Sequence, residues 1–141
     1  MTLKLQLVEN GKVISQIPLS PMDWSREELV NDLNAFETNL QRYSKLFTAL
    51  STETRFRMMK RLIERKKRTV TFTDFMQDLN LNPKLVWENT RKLREGGLLV
   101  KVGRNGYRCS EFGETSFMMM SLAFRRLIKA LEEMDHFREV K

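Results

Sequence analysis

Between Asn82 and Glu95 the chain places cations and hydrogen-bonding side chains at helical spacing. At 100° per residue, Val86, Thr90 and Leu93 share one face and should pack inward. Lys84, Glu88, Arg91 and Glu95 fall opposite, flanked by Trp87 and Arg94 on one side and by Asn89 and Lys92 on the other. This is chemistry suited to the edges of base pairs. Lys84 and Arg91 can donate to guanine O6/N7 or to phosphate, Asn89 can pair with adenine, and Glu88 can accept from cytosine N4. Trp87 can pack on a thymine methyl or a sugar, while Lys92 and Arg94 suit phosphates, adding affinity without sequence information. Each residue also has a plainer role. Trp87 can complete a core, and Glu88 can pair with Lys84 or Arg91 one turn away.

Such a face needs elements to present it. Asn82-Pro83 is an N-cap followed by proline at the first helical position, and Gly96-Gly97 ends the helix near Glu95. Upstream, Ser51 should cap a helix over 52–66 with Phe56, Met59, Leu62 and Ile63 inward. Thr69-Val70-Thr71-Phe72 is a short strand stub, Thr73 caps a short helix to Leu79, and Asn80-Leu81-Asn82 is a turn. Downstream, residues 98–102 and 107–110 read as two strands joined by Gly103-Arg104-Asn105-Gly106. Two short helices, a tight turn and a hairpin with a basic tip predict a winged helix. The recognition helix is 83–95 and the wing is 98–110. Arg104 is best placed to enter a minor groove, and Arg108 lies on the return strand.

Residues 46–113 resemble the winged-helix regulators of the ArsR-like (arsenic-repressor) type. The resemblance is carried by Leu50-Ser51-Thr52-Glu53-Thr54-Arg55, Thr71-Phe72-Thr73-Asp74-Phe75, Leu93-Arg94-Glu95-Gly96-Gly97-Leu98-Leu99 and Tyr107-Arg108-Cys109-Ser110-Glu111-Phe112-Gly113. It covers about half the chain. It implies a transcription regulator from a prokaryotic host, with Arg55 at a position that lies close to the DNA backbone in the family. Val86-Trp87-Glu88-Asn89-Thr90 departs from the family's recognition helix, so no base preference carries over.

The flanks read differently. Leu3, Leu5 and Leu7 alternate, Asn10-Gly11 is a strong hairpin signal, and Val13, Ile14 and Ile17 form a second strand with poorer alternation. A hairpin over 2–18 is too small to stand alone and must pack on something. Ser25 and Glu28 form a capping box. From there Leu29, Leu33, Phe36, Leu40, Tyr43, Phe47 and Leu50 keep a heptad seam along one predicted helix, 26–50, about 37 Å long. A second seam, Phe117, Met120, Phe124, Leu127, Leu131 and Met134, runs along a predicted helix 114–137. The seams can pair within one monomer or between two copies. Pairing between copies is favoured, because the middle segment has its own apolar positions for a core. The expected architecture is thus mainly α with small β (α+β): a hairpin and linker over 1–24, a seam helix over 25–50, a winged helix-turn-helix over 51–113 and a C-terminal dimerisation helix over 114–141.

Charge agrees with this division. Of 141 residues, 25 are Lys or Arg and 18 are Asp or Glu. Residues 1–50 and 111–141 each carry net −1 and residues 51–110 carry +9, giving the overall +7. A basic centre between neutral ends points to a polyanion held by the centre, although Arg65-Lys66-Lys67-Arg68 by itself can be a solvated helix end. One cysteine, Cys109, and one histidine, His136, exclude an internal disulfide and a four-ligand Cys/His zinc site on a single chain. His136 with Glu132 and Glu139 is a weak metal trio, and Cys109 suits a buried filler better than a sensor. No cofactor, catalytic constellation, secretory signal or membrane span is read, so a cytoplasmic, nucleoid-associated, non-enzymatic protein is expected. The leading expectation is a homodimeric regulator binding specific double-stranded DNA; the alternatives are a winged helix for protein assembly or a sequence-neutral nucleic-acid binder.

Overall fold

The computed structural model describes residues 3–65 and 69–134. The chain forms two compact units, one ending at Leu40 and the other starting at Gln41. Among the described residues no helix is long and apolar enough to cross a membrane.

The first unit holds the expected hairpin, β1 (Lys4–Glu9) and β2 (Lys12–Pro18). Asn10 and Gly11 both take positive φ, 51° and 79°, as a two-residue hairpin turn matched to strand twist requires. The register slips by one residue, from Leu7↔Ser15 to Val8↔Val13, leaving Ile14 as a bulge. That extra residue explains the poor alternation of the second strand. The Trp24 indole N–H donates to Pro18 O at 2.9 Å. Helix α1 (Arg26–Thr38) then starts at Ser25, whose hydroxyl accepts from Glu28 N. No described residue of this unit is buried.

The predicted rod over 26–50 is two helices. α1 stops at Thr38, Asn39 leaves helical geometry, and α2 (Leu40–Ala49) follows. Thr38 Oγ1 donates to Asn34 O and Asn39 Nδ2 donates to Ala35 O. These side chains engage carbonyls of the last turn, a local competition that a count of apolar spacings does not register.

The second unit contains α2, α3 (Glu53–Glu64), β3 (Thr69–Thr71), α4 (Phe72–Leu79), α5 (Pro83–Glu95), β4 (Leu99–Val102), β5 (Gly106–Cys109), α6 (Glu111–Met118), one π turn (Met119–Ala123) and α7 (Phe124–Glu133). Its sheet is antiparallel in the order β3-β5-β4, with Leu99 opposite Cys109 and Lys101 opposite Tyr107. The core draws Met58, Met59 and Leu62 from α3, Phe75 from α4, Val86 and Leu93 from α5, and Leu98, Tyr107 and Cys109 around the wing. Ala49 joins it, with Leu46 and Leu50 packed against it, so α2 belongs to this domain. Phe56 and Ile63, expected inside, are exposed; Met58 and Arg55 take the inward positions of α3.

The caps also shift. Thr52, not Ser51, caps α3. Thr71, not Thr73, caps α4 through a reciprocal box with Asp74, both bonds 3.0 Å. Asn80 ends α4 in the left-handed conformation. Ser110 caps α6 by accepting from Gly113 N, and donates to Gly97 O, both at 2.8 Å. A Cβ at Gly113 would lie 2.1 Å from Leu98 O, so only glycine lets α6 start this close to β4.

The C-terminal helix starts at Glu111 rather than 114, and Glu133 is its last helical residue; the expected stretch 135–137 lies outside the described residues. The π turn at Met119–Ala123 inserts one residue into the winding, turning the following face by roughly 100°. The predicted seam therefore breaks. Phe117 is 5% exposed and Phe124 59%.

Candidate nucleic-acid interface

α5 forms where Asn82 and Pro83 predict. Asn82 Oδ1 accepts from Leu85 N at 2.9 Å, and the helix runs to Glu95. Val86, Thr90 and Leu93 are buried, as the periodicity requires. Lys84, Trp87, Arg91 and Arg94 are exposed; Glu88 and Lys92 are half-buried.

Trp87 is not core: it is 57% exposed. The Arg91 guanidinium lies over its ring, 5.1 Å from the centroid. Arg91 pairs with Glu95 at 3.5 Å, one turn on, in place of the expected Glu88. An open cleft beside α5 is lined by Arg91, Arg94 and Glu95 and, from the wing, by Leu99, Val100 and Lys101. Recognition helix and wing thus meet around three cations. Lys101 is absent from the sequence reading, although strand alternation carried the signal. It pairs with Tyr107 and shares its face of the sheet. Arg108 pairs with Val100 on the opposite face, so the sheet separates Arg108 from Lys101. Arg104 is exposed in the wing turn, whose Asn105 carbonyl accepts from Phe72 N at 2.8 Å and ties the wing to the start of α4.

Two expected DNA contacts are internal instead. Asn89 is 8% exposed and Arg55 6%. Arg55 Nη1 donates to Asn89 Oδ1 at 2.9 Å, while Asn89 Nδ2 donates to Leu85 O. Arg55 also donates from Nε to Ala49 O and from Nη2 to Thr48 O and Ser51 Oγ. Burial draws its pKa below the ordinary arginine value, but a guanidinium keeps its charge in proteins. On a helical wheel Asn89 lies at the margin of the buried face, about 40° from Leu93. A partner 34 residues away in sequence makes its burial affordable.

Part of the basic run is structural as well. Arg61 Nε and Arg65 Nη2 donate to Asp78 Oδ2 at 2.8 and 3.1 Å, and Arg65 pairs with Asp74 at 3.3 Å, joining α3 to α4. The hydrogen bond from Arg61 holds the Asp78 carboxyl below the usual carboxylate range. Lys66, Lys67 and Arg68 lie outside the described residues, as do His136 and Glu139 of the weak metal trio.

Of the expected dimer residues, Leu33, Phe36, Leu40 and Phe124 are exposed, and Leu29, Tyr43, Met120, Leu127 and Leu131 half-buried. Phe117 departs from the expectation. Its ring packs on Phe56, centroids 5.4 Å apart, inside the domain, because Ser110 and Gly113 anchor α6 one turn earlier than the seam supposed.

Helices α3, α4 and the presented α5, with an antiparallel wing, define a winged helix-turn-helix fold. The chain is similar in fold to the homodimeric winged helix-turn-helix DNA-binding domain (fragment 1–100) of a possible ArsR-family transcriptional regulator from Mycobacterium bovis, with a TM-score of 0.55 and 17% identity over 72% of this chain and 89% of that one. The winged-helix fold expected from residues 46–113 is thereby matched at the level of fold. No protein-family model matches the sequence, and no curated protein matches it.

Proposed function

We propose that this chain is a DNA-binding transcription regulator that acts as a homodimer on specific double-stranded sites. α5 enters the major groove by its exposed face and the wing lies along the backbone or minor groove. The carrying observation is the convergence of Arg91, Arg94 and Lys101 on one open cleft between helix and wing. A duplex offers phosphates at that spacing and base edges to Lys84 and Trp87. The similar Mycobacterium bovis domain, a homodimeric DNA-binding one, supports the same reading. So do the apolar side chains exposed on α1 at Leu33 and, separately, on α7 at Phe124, which a second copy would bury. Twofold symmetry would set two α5 helices about 34 Å apart, in successive major grooves.

Selection of bound fragments from random duplex DNA tests this. Recovery of a two-part palindrome is the expected result. Binding that falls steeply with salt but enriches no site would make the protein a sequence-neutral binder. Absence of binding would leave a winged helix used for protein assembly.

A further inference from the structure

We propose that Arg55, acting through Asn89, is a positioning residue that couples helix α2 to the orientation of α5, so that repacking along α2 is read out as a change in DNA affinity. The inference rests on the DNA-binding reading above and deepens it, because it names the route by which the reading helix is regulated.

The buried guanidinium bridges two helices. It caps carbonyls at the end of α2, Ala49 O at 3.0 Å and Thr48 O at 2.8 Å, the latter shared with Ser51 N and Ser51 Oγ. It holds Asn89, at the middle of α5, at 2.9 Å. Asn89 is fixed in turn to its own helix through Leu85 O at 2.8 Å. A second contact joins the same two helices. The position of a Cβ on Gly96 would lie 2.7 Å from Ala49 Cβ and 3.2 Å from Lys45 O, so the end of α5 abuts α2 with no space between them. Asn89 and Gly96 are seven residues apart, on one face of α5 and about 10 Å along its axis. α2 therefore grips α5 at two points, on the side away from Lys84 and Arg91. Leu46 packs on the core, but α2 keeps an open side, where Ser44 and Phe47 are exposed. A force applied to that open side reaches α5 through Arg55 without passing through the wing.

The test is a double-mutant cycle on the full chain. Ser44→Gly loosens α2 from its exposed side and removes no core contact; Asn89→Leu cuts the link. Amide hydrogen exchange of α5 is compared with that of β4 and β5, and affinity is measured for a duplex enriched from the random pool. Ser44→Gly is expected to speed α5 exchange by roughly threefold or more relative to the wing and to weaken DNA binding in step. With Asn89→Leu in place that selective response should shrink to what the Gly96–Ala49 contact carries. Asn89→Asp, which keeps an acceptor for Arg55, should restore it. If Asn89→Leu fails to fold, Arg55→Lys serves instead, since an ammonium cannot span Asn89 and both α2 carbonyls. An equal change in α5 and the wing, or the same response in both backgrounds, would overturn the coupling. If the unmodified protein binds no duplex, the DNA reading fails while the exchange measurement still decides the coupling.

Discussion

The Arg91 guanidinium sits 5.1 Å from the centre of the Trp87 ring and 3.5 Å from the Glu95 carboxylate. Cation, indole and carboxylate thus stand together on the exposed face of α5. A phosphate or guanine that takes Arg91 competes with Glu95 for its charge, and exposed ion pairs of this kind are worth little. Glu95→Gln is therefore expected to tighten duplex binding severalfold. Arg91→Ala should cost about 1–3 kcal/mol and relax base preference at one position. Titrations at a single salt concentration check both; an unchanged Kd for Arg91→Ala would remove this residue from the interface.

Arg94 and Lys101 flank the same cleft from helix and strand. As phosphate contacts, each mutated to Ala should weaken binding about equally for all sequences and lower the slope of log K against log salt by about 1. Arg108→Ala, on the other face of the sheet, should leave that slope unchanged. The readout is affinity over a salt series.

Gly113→Ala drives a methyl group into the Leu98 carbonyl, 2.1 Å from the ideal Cβ position. The obstacle is backbone, so it cannot rotate away. We expect a loss of about 1–3 kcal/mol, the ordinary cost of overpacking, seen as a lower thermal midpoint. Gly103→Ala meets no atom within 4 Å and differs only by its positive φ.

Asp78 and Asp74 are both held below the usual carboxylate range, Asp78 first by the hydrogen bond from Arg61 and Asp74 first by the Thr71 backbone N–H. A depressed carboxyl pKa stabilises the fold above the unfolded value near 3.9. That contribution is lost as pH falls through the lower folded value. Denaturant unfolding from neutral pH to about pH 2 should show stability falling on the acid side, and Asp78→Asn should flatten part of that fall. An identical acid limb in the variant would count against the network.

The apolar side chains exposed on α1 and on α7 predict assembly. Leu33→Asp or Phe124→Asp, on exposed positions, should shift sedimentation toward a single protomer and weaken binding to a two-part site while leaving the helical signal intact. Phe117→Asp, buried in the domain, should instead unfold it. A wild-type protein that sediments as one protomer at micromolar concentration would refute the dimer.

Much of the fold was readable because its signals are local. Asn82-Pro83 set the start of α5, Asn10-Gly11 the hairpin turn, and Val86, Thr90 and Leu93 the buried face of the reading helix. The same reading failed wherever one residue shifted the phase. Ile14 bulges out of β2, Asn39 interrupts the first seam, and the π turn at Met119–Ala123 separates Phe117 from Phe124. Apolar spacing assumes uninterrupted winding; the adjacent Val13 and Ile14 showed the strand bulge as poor alternation, but both heptad seams run on across their breaks without a sign.

Chain order and side-chain type, taken alone, determined that a basic helix follows a short turn and precedes a small hairpin, because caps, prolines and periodicity act within a few residues. Which polar groups face outward was decided only in three dimensions. Asn89 and Arg91 lie about 160° apart on a helical wheel, but Asn89 falls at the margin of the buried face, where the wheel does not decide between inside and outside. Asn89 lies inside because Arg55 arrives from α3 to bond it, while Arg91 stays outside on the Trp87 ring. A buried polar group is tolerated only where a partner meets it, and that partner comes from a distant part of the chain.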